Sequence, residues 1–111
     1  MALVPLGMAV VTGRSMEPTL YDGDRLLVRY GARARPGRLA VVRLPQRPVA
    51  VKRLDHRVDG GWWVERDNPA EGVDSWQVGP IPDQDLLGVV VLRIWPLLRR
   101  PRRSDEGAHG R

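Results

Sequence analysis

Residues 49–66 read VAVKRLDHRVDGGWWVER. Two runs rich in Val, Leu and Trp, Val49–Leu54 and Trp62–Arg66, flank Asp59-Gly60-Gly61. A Gly pair supplies the positive φ of a tight hairpin turn, and the flanking runs have the composition of strands. The same grammar repeats along the chain. Met8–Thr12 stops at Gly13, Arg25–Tyr30 follows Asp22-Gly23-Asp24, and Leu39–Leu44 follows Pro36-Gly37. Val89–Trp95 stops at Pro96. The 111 residues include 12 Gly and 10 Pro, and the longest stretch without either runs from Val49 to Asp59. Each Gly or Pro weakens or breaks a helix, so helical bundles are excluded. The expected fold is all-β, a small coiled antiparallel sheet or partial barrel. Residues 68–83, which contain three Pro, are expected to form an extended loop over the sheet.

This length suits a single domain with one modest core. Residues 1–96 are read as that domain and residues 97–111 as a basic, disordered tail. The formal net charge is +5, with five Arg and two acids in the last fifteen residues. The body has no basic face interleaved with aromatics, so nucleic acid is not the expected partner. The absence of cysteine removes disulfides, thiolate metal sites and cysteine nucleophiles. His56 and His109 lie far apart, so neither a metal site nor a cofactor is expected. The opening MALVPLGMAVV lacks a basic leader region and falls well short of bilayer length. Leu86–Leu98 is interrupted by Arg93 and Pro96. The expectation is a soluble, cytoplasmic protein without a transmembrane anchor.

Of the 18 basic side chains, 17 are Arg, and Lys52 is the only lysine. Strand alternation puts Lys52 on the same face as Ala50 and Leu54. An ammonium on an apolar face is desolvated, which favours the neutral amine. Such an amine accepts a proton near neutral pH, whereas a guanidinium does not. The bland reading is a lysine that snorkels to solvent from a strand end. Gly13-Arg14-Ser15-Met16-Glu17-Pro18-Thr19 offers a partner. Ser15 follows an apolar strand and precedes a Pro-restricted turn, and Gly13 lets nearby backbone amides approach a substrate carbonyl. A serine needs a base to become nucleophilic, and neither histidine is placed to act as one. Ser with a desolvated Lys is the remaining arrangement. A turn or capping serine is the bland alternative.

The blocks VTGRSMEPTLYDGDRLLV, PGRLAVVRLP, VAVKRL and ERDNPAEGVDSWQVGPIP, in that order between Val11 and Pro96, resemble type I signal peptidases, the Ser/Lys-dyad endopeptidases. The resemblance implies a coiled antiparallel β core with Ser15 as nucleophile and Lys52 as general base. It places Gly13, Arg14 and Met16 at the oxyanion and substrate pocket. Pro18, Thr19, Asp67, Asn68, Asp74 and Ser75 fall at supporting positions. Several positions depart from the family pattern. Gly13 stands where a hydroxyl residue often assists the oxyanion, which leaves more of that role to the Ser15 N–H. Arg66-Asp67-Asn68 replaces Gly-Asp-Asn. Gly72 stands where a serine often orients the lysine, and Trp76 replaces the Arg of Asp-Ser-Arg. Thr19, Ser75 or a backbone carbonyl is then left to orient Lys52.

The stretch WWVERDNPAEGVDSW resembles the nickel-type superoxide dismutase maturation proteases. That likeness implies a processing enzyme that removes a propeptide from a partner, the nickel superoxide dismutase precursor, and itself needs no metal. Two other classes compete. One is a non-catalytic module of this fold that binds an extended peptide as an added strand, suggested by Gly13 and Gly72. The other is a nucleic-acid binder driven by the arginine tail. Milder readings complete the sequence. Asp22-Gly23-Asp24 is a turn with solvated acids, and Asp67-Asn68-Pro69 is first a turn. Trp62 and Trp63 point to opposite faces, one into the core.

Overall fold

The computed structural model describes residues 5–31 and 33–97. Seven strands account for most of them: β1 (Leu6–Val10), β2 (Arg25–Tyr30), β3 (Leu39–Arg43), β4 (Val49–Val58), β5 (Gly61–Glu65), β6 (Ile81–Pro82) and β7 (Leu86–Trp95). They form one antiparallel sheet in the order β1-β2-β7-β3-β4-β5-β6. Register shifts interrupt β2–β7, β3–β7 and β4–β5. Such irregularities raise the local twist and let a sheet curl, and this one closes into a half-barrel, as the strand reading expected.

Strand positions agree with the sequence reading more closely than strand ends do. β1 begins and ends two residues earlier than expected. β4 runs on to Val58 and β7 starts at Leu86, both longer than the apolar alternation indicated. The β4–β5 hairpin turns at Asp59-Gly60, with Gly60 at φ +76 and Gly61 already paired with Val58. Residues 68–83 are not merely an extended loop. They contain the one-turn helix α1 (Ser75–Val78) and β6, followed by a 3-10 turn over Asp83–Asp85. Asp74 caps α1 in a capping box with Gln77, which overrides the high Pro content.

Hydrophobic packing divides between two clusters. Met16, Leu20, Leu26, Val28, Val41 and Val51 belong to one, and Ala40, Val42, Leu54, Trp62, Val64 and Ile81 to the other. β3 serves both through alternation, with Val41 on one side and Ala40 and Val42 on the other. Trp62 is the core tryptophan of its pair. Trp63 is half-buried, stacked on His56 and edge-on to Trp76. On the outer surface Leu6, Met8, Val10, Leu92 and Trp95 are exposed. Among the described residues no helix is long and apolar enough to cross a membrane. Apart from Leu97, the basic tail lies outside the described residues.

Candidate active site

Lys52 sits in mid-β4, opposite Ala40 of β3. Only 3% of it is exposed, so the snorkelling reading fails. Ser15 lies in the connection from β1 to β2, and its Oγ stands 2.6 Å from Lys52 Nζ. That separation lies within ordinary hydrogen-bond reach. Burial holds the Lys52 amine below its usual value of 10.5. The Asp74 carboxylate acts against that shift and the Arg66 guanidinium reinforces it.

The β1–β2 connection is tied at both ends and along its length. Val11 N–H donates to the Asp24 carbonyl and Gly23 N–H to the Val11 carbonyl, both at 2.8 Å. Gly13, at φ +83, donates its N–H to Asp22 Oδ1 at 2.8 Å. Asp24 is buried and accepts from Tyr21 N–H, so the expected pair of solvated acids is half wrong. Its carboxylate closes the turn from inside. With the Gly13 amide engaged by Asp22, the Ser15 N–H is the backbone donor beside the hydroxyl, and it meets no acceptor among the described residues.

A second arm, residues 65–77, crosses over this connection. Asn68 N–H donates to the Ser15 carbonyl at 2.8 Å, and Asn68 Nδ2 donates to the Arg14 carbonyl at 2.9 Å. Asp67 N–H donates to the Met16 sulfur at 3.4 Å. The Asp67 carboxylate accepts from Arg53 through Nε and Nη2 (2.9 and 2.7 Å) and from the Thr19 hydroxyl at 2.5 Å. Asp67-Asn68 therefore does more than turn the chain: it locks the Ser15 segment to β4. Arg53, adjacent to Lys52, was not singled out in the sequence, because strand alternation sends it away from the lysine's face. Burial raises the Asp67 carboxyl, but the bonds from Arg53 and Thr19 outweigh burial and hold it below the ordinary 3.8.

Neither side chain expected to orient Lys52 is hydrogen-bonded to it among the described residues. Thr19 serves Asp67, and the Ser75 hydroxyl, almost fully buried, accepts from Val64 N–H at 2.8 Å. Gly72 faces the other reactive group: a Cβ built on it falls 2.7 Å from Ser15 Cβ. The pattern Asp74-x-x-Gln77 was a readable capping signal. Arg66 was missed as Asp74's cation, since its partner lies eight residues away outside any strand or helix period.

Two cavities meet at Ser15. A groove of about 330 Å³ runs past Gly13, Arg14, Ser15, Lys52 and Gly72. A small recess of about 50 Å³ opens between Ala9, Val11, Ser15, Met16, Val49 and Val51. Met16 thus does both things its position allows, packing in the core and lining the recess. A larger hollow, about 800 Å³, lies elsewhere, against Arg35, Arg57, Trp62 and Asp83, and touches neither Ser15 nor Lys52. Size does not mark the site here; the adjacent hydroxyl and buried amine do. Among the described residues no group of three or more His, Asp or Glu side chains is arranged to hold a metal ion.

A half-barrel that brings a serine against a buried lysine, with a groove leading to both, has the form of a peptidase. The chain belongs to the Peptidase S24-like family, whose model matches residues 4–91. It is also 28% identical to the mitochondrial inner membrane protease subunit 1 of Xenopus tropicalis, a match covering 81% of this chain and 70% of that protein. The chain is thus a serine peptidase of the signal-peptidase type.

Proposed function

We propose that this peptidase cleaves an extended polypeptide through an acyl-enzyme on Ser15, with Lys52 as the general base. The observation that carries this reading is the 2.6 Å approach of Ser15 Oγ to an amine that is 3% exposed. The neutral amine accepts the Ser15 hydroxyl proton as Oγ attacks the peptide carbonyl. The developing oxyanion takes the Ser15 N–H, which no group among the described residues occupies. The ammonium then protonates the departing amine. With the amine neutral again, Lys52 activates the water that hydrolyses the acyl ester. The recess of about 50 Å³ beside Ser15 supports a small side chain, such as alanine or glycine, on the acyl side of the cut.

For the substrate we propose a precursor that carries an N-terminal propeptide, the nickel superoxide dismutase precursor. The likeness of Trp62–Trp76 to the maturation proteases of that enzyme supports it. In the deciding assay, purified protein is incubated with that precursor and the new N-terminus is read by mass spectrometry. Ser15→Ala and Lys52→Arg are each expected to lose cleavage while keeping the wild-type circular dichroism spectrum. Cleavage at the wild-type rate by Lys52→Arg overturns the mechanism, because a guanidinium does not give up its proton. Peptide binding without turnover by the wild type, unchanged in Ser15→Ala, points instead to a non-catalytic module.

A further inference from the structure

The arm over the site contains a cation that neither reacting group touches. Arg66 stands where the resemblance places glycine in Gly-Asp-Asn, and Trp76 stands where it places arginine in Asp-Ser-Arg. The guanidinium beside Asp74 therefore comes from a different point on the chain. The Arg66 side chain is only 16% exposed, and its Nε is buried 3.8 Å from Asp74 Oδ2. Arg66 N–H donates to the same Asp74 oxygen at 2.9 Å. Arg66 Nη1 donates to the Gly72 carbonyl and reaches Gln77 Oε1 at 3.5 Å. Gly72 in turn lies against Ser15, close enough that a Cβ would stand 2.7 Å from the serine's own. The geometry points to Arg66 as a positioning residue that holds the Gly72 backbone against Ser15 and sets its charge against the Asp74 carboxylate. This inference rests on the Ser15–Lys52 reading above.

Asp74 is needed where it is, since its carboxylate caps α1 through Trp76 N–H at 3.0 Å and anchors Arg66 N–H. The charge of the Asp74 carboxylate favours the Lys52 ammonium, which is the wrong form for a base. The guanidinium removes that penalty without removing the cap. The other charged groups around the amine are Glu71, Arg14 and Arg47, which line the groove with it. Arg53, next in sequence, is engaged by Asp67.

The test uses pH profiles and a direct titration of the amine. Lys52 is the only lysine, so protein labelled with 13C at lysine Cε gives a single signal to follow. Arg66→Gln is expected to move that titration, and the alkaline rise of kcat/KM, to higher pH, with about a tenfold loss at neutral pH. Asp74→Asn is expected to move both to lower pH, and the double variant is expected to return toward wild type. Arg66→Lys, which keeps the charge but lacks the planar fork and adds a second labelled lysine, is followed by kcat/KM alone, and is expected to keep the wild-type pH profile and lose part of kcat. A purely structural arm gives equal damage in Arg66→Gln and Asp74→Asn with no opposed shifts, and that result overturns the inference. If the Lys52 signal in wild type titrates like a free lysine, the base assignment itself has failed. If it titrates low and Arg66→Gln leaves it unmoved, only the role of Arg66 has failed. Should Arg66→Gln fail to fold, Asp74→Asn still decides: an unmoved titration in Asp74→Asn counts against the inference.

Discussion

Gly72→Ala tests how closely the arm presses on Ser15. Gly72 adopts φ +80, and a methyl there falls 2.7 Å from Ser15 Cβ. Ordinary carbon–carbon contact begins near 3.5 Å, so relief requires Ser15 or the arm to retreat by about 0.8 Å, the difference between those distances. Two costs follow. The positive φ alone costs about 1–2 kcal/mol for a residue with a Cβ. Overpacking adds about 1–3 kcal/mol. Gly60→Ala separates them, because Gly60 has φ +76 and nothing within 4 Å of an added Cβ. In urea unfolding, Gly72→Ala is expected to lose about 2–5 kcal/mol and Gly60→Ala about 1–2 kcal/mol. Activity is expected to diverge much further. A retreat of that size opens the 2.6 Å Ser15–Lys52 approach, and misplacement by about 1 Å costs on the order of 100-fold. Cleavage of the precursor by Gly72→Ala is expected to fall about 10–100-fold under native conditions, with Gly60→Ala near wild type. Equal stability losses and unimpaired turnover in both variants refute the claim that the arm sets the position of Ser15. The same collision explains why serine, frequent at this position in the resembled family, has no room on this backbone.

Two further expectations concern charge. Lys52→Met removes a desolvated amine that opposes folding, so it is expected to abolish cleavage and to stabilise the fold by about 1–4 kcal/mol at neutral pH, the range for exchanging buried ionised groups for apolar ones. The unfolded chain binds the proton more tightly than the native one. Native wild type therefore gains stability as pH rises from the lowered Lys52 value toward 10.5, and the advantage of methionine shrinks over that window. A constant advantage from pH 6 to 10.5 in urea unfolding counts against a depressed amine. Asp67→Asn breaks the paired bonds from Arg53 and weakens that from Thr19. It is expected to cost about 1.5–3 kcal/mol at neutral pH. Because the Asp67 carboxyl is held below 3.8, that difference is fully present above the ordinary carboxylate range and fades as pH falls through the depressed value. A urea midpoint for Asp67→Asn equal to wild type at pH 7 removes Asp67 as a lock.

What the chain reveals before folding depends on the range of each interaction. The β4–β5 hairpin was legible because turn and strands are contiguous and the Gly pair fixes the reversal. The start of β7 was not, because Gly88 reads as punctuation. In the fold it is a point of close approach, where a Cβ would meet Val28 Cγ1 at 2.6 Å. Gly88 is there to bring β2 and β7 together, a need set by a strand sixty residues away. The far half of β4 was missed for the opposite reason. Asp55, His56 and Arg57 are exposed and carry no apolar alternation, yet His56 and Arg57 pair with β5 and Asp55 falls at the register shift between Leu54 and His56. At the site, Ser15 and Lys52 were readable from chemistry, one amine among guanidinium groups and one hydroxyl behind a flexible glycine. The Arg66–Asp74–Gly72 linkage was not, since it joins side chain to backbone across a loop with no period.

The arrangement of cations gives this contrast a physical sense. A base must lose its proton within the range where the protein is folded, and of the 18 basic side chains only Lys52 is able to do so. The fold places that side chain in its interior, where desolvation acts most strongly. The neighbouring cations then divide into two kinds. Arg53 is tied to Asp67 and serves the architecture, holding the Ser15 segment on β4. Arg66 stands at Asp74, where its charge is felt by the amine. If both were only architectural, exchanging either for a neutral residue would lower stability and leave the pH dependence of cleavage in place. Arg53→Gln is expected to behave in that way, and Arg66→Gln is not. The comparison needs only the two profiles measured side by side, since loss of packing is common to both variants and a displaced alkaline rise belongs to one.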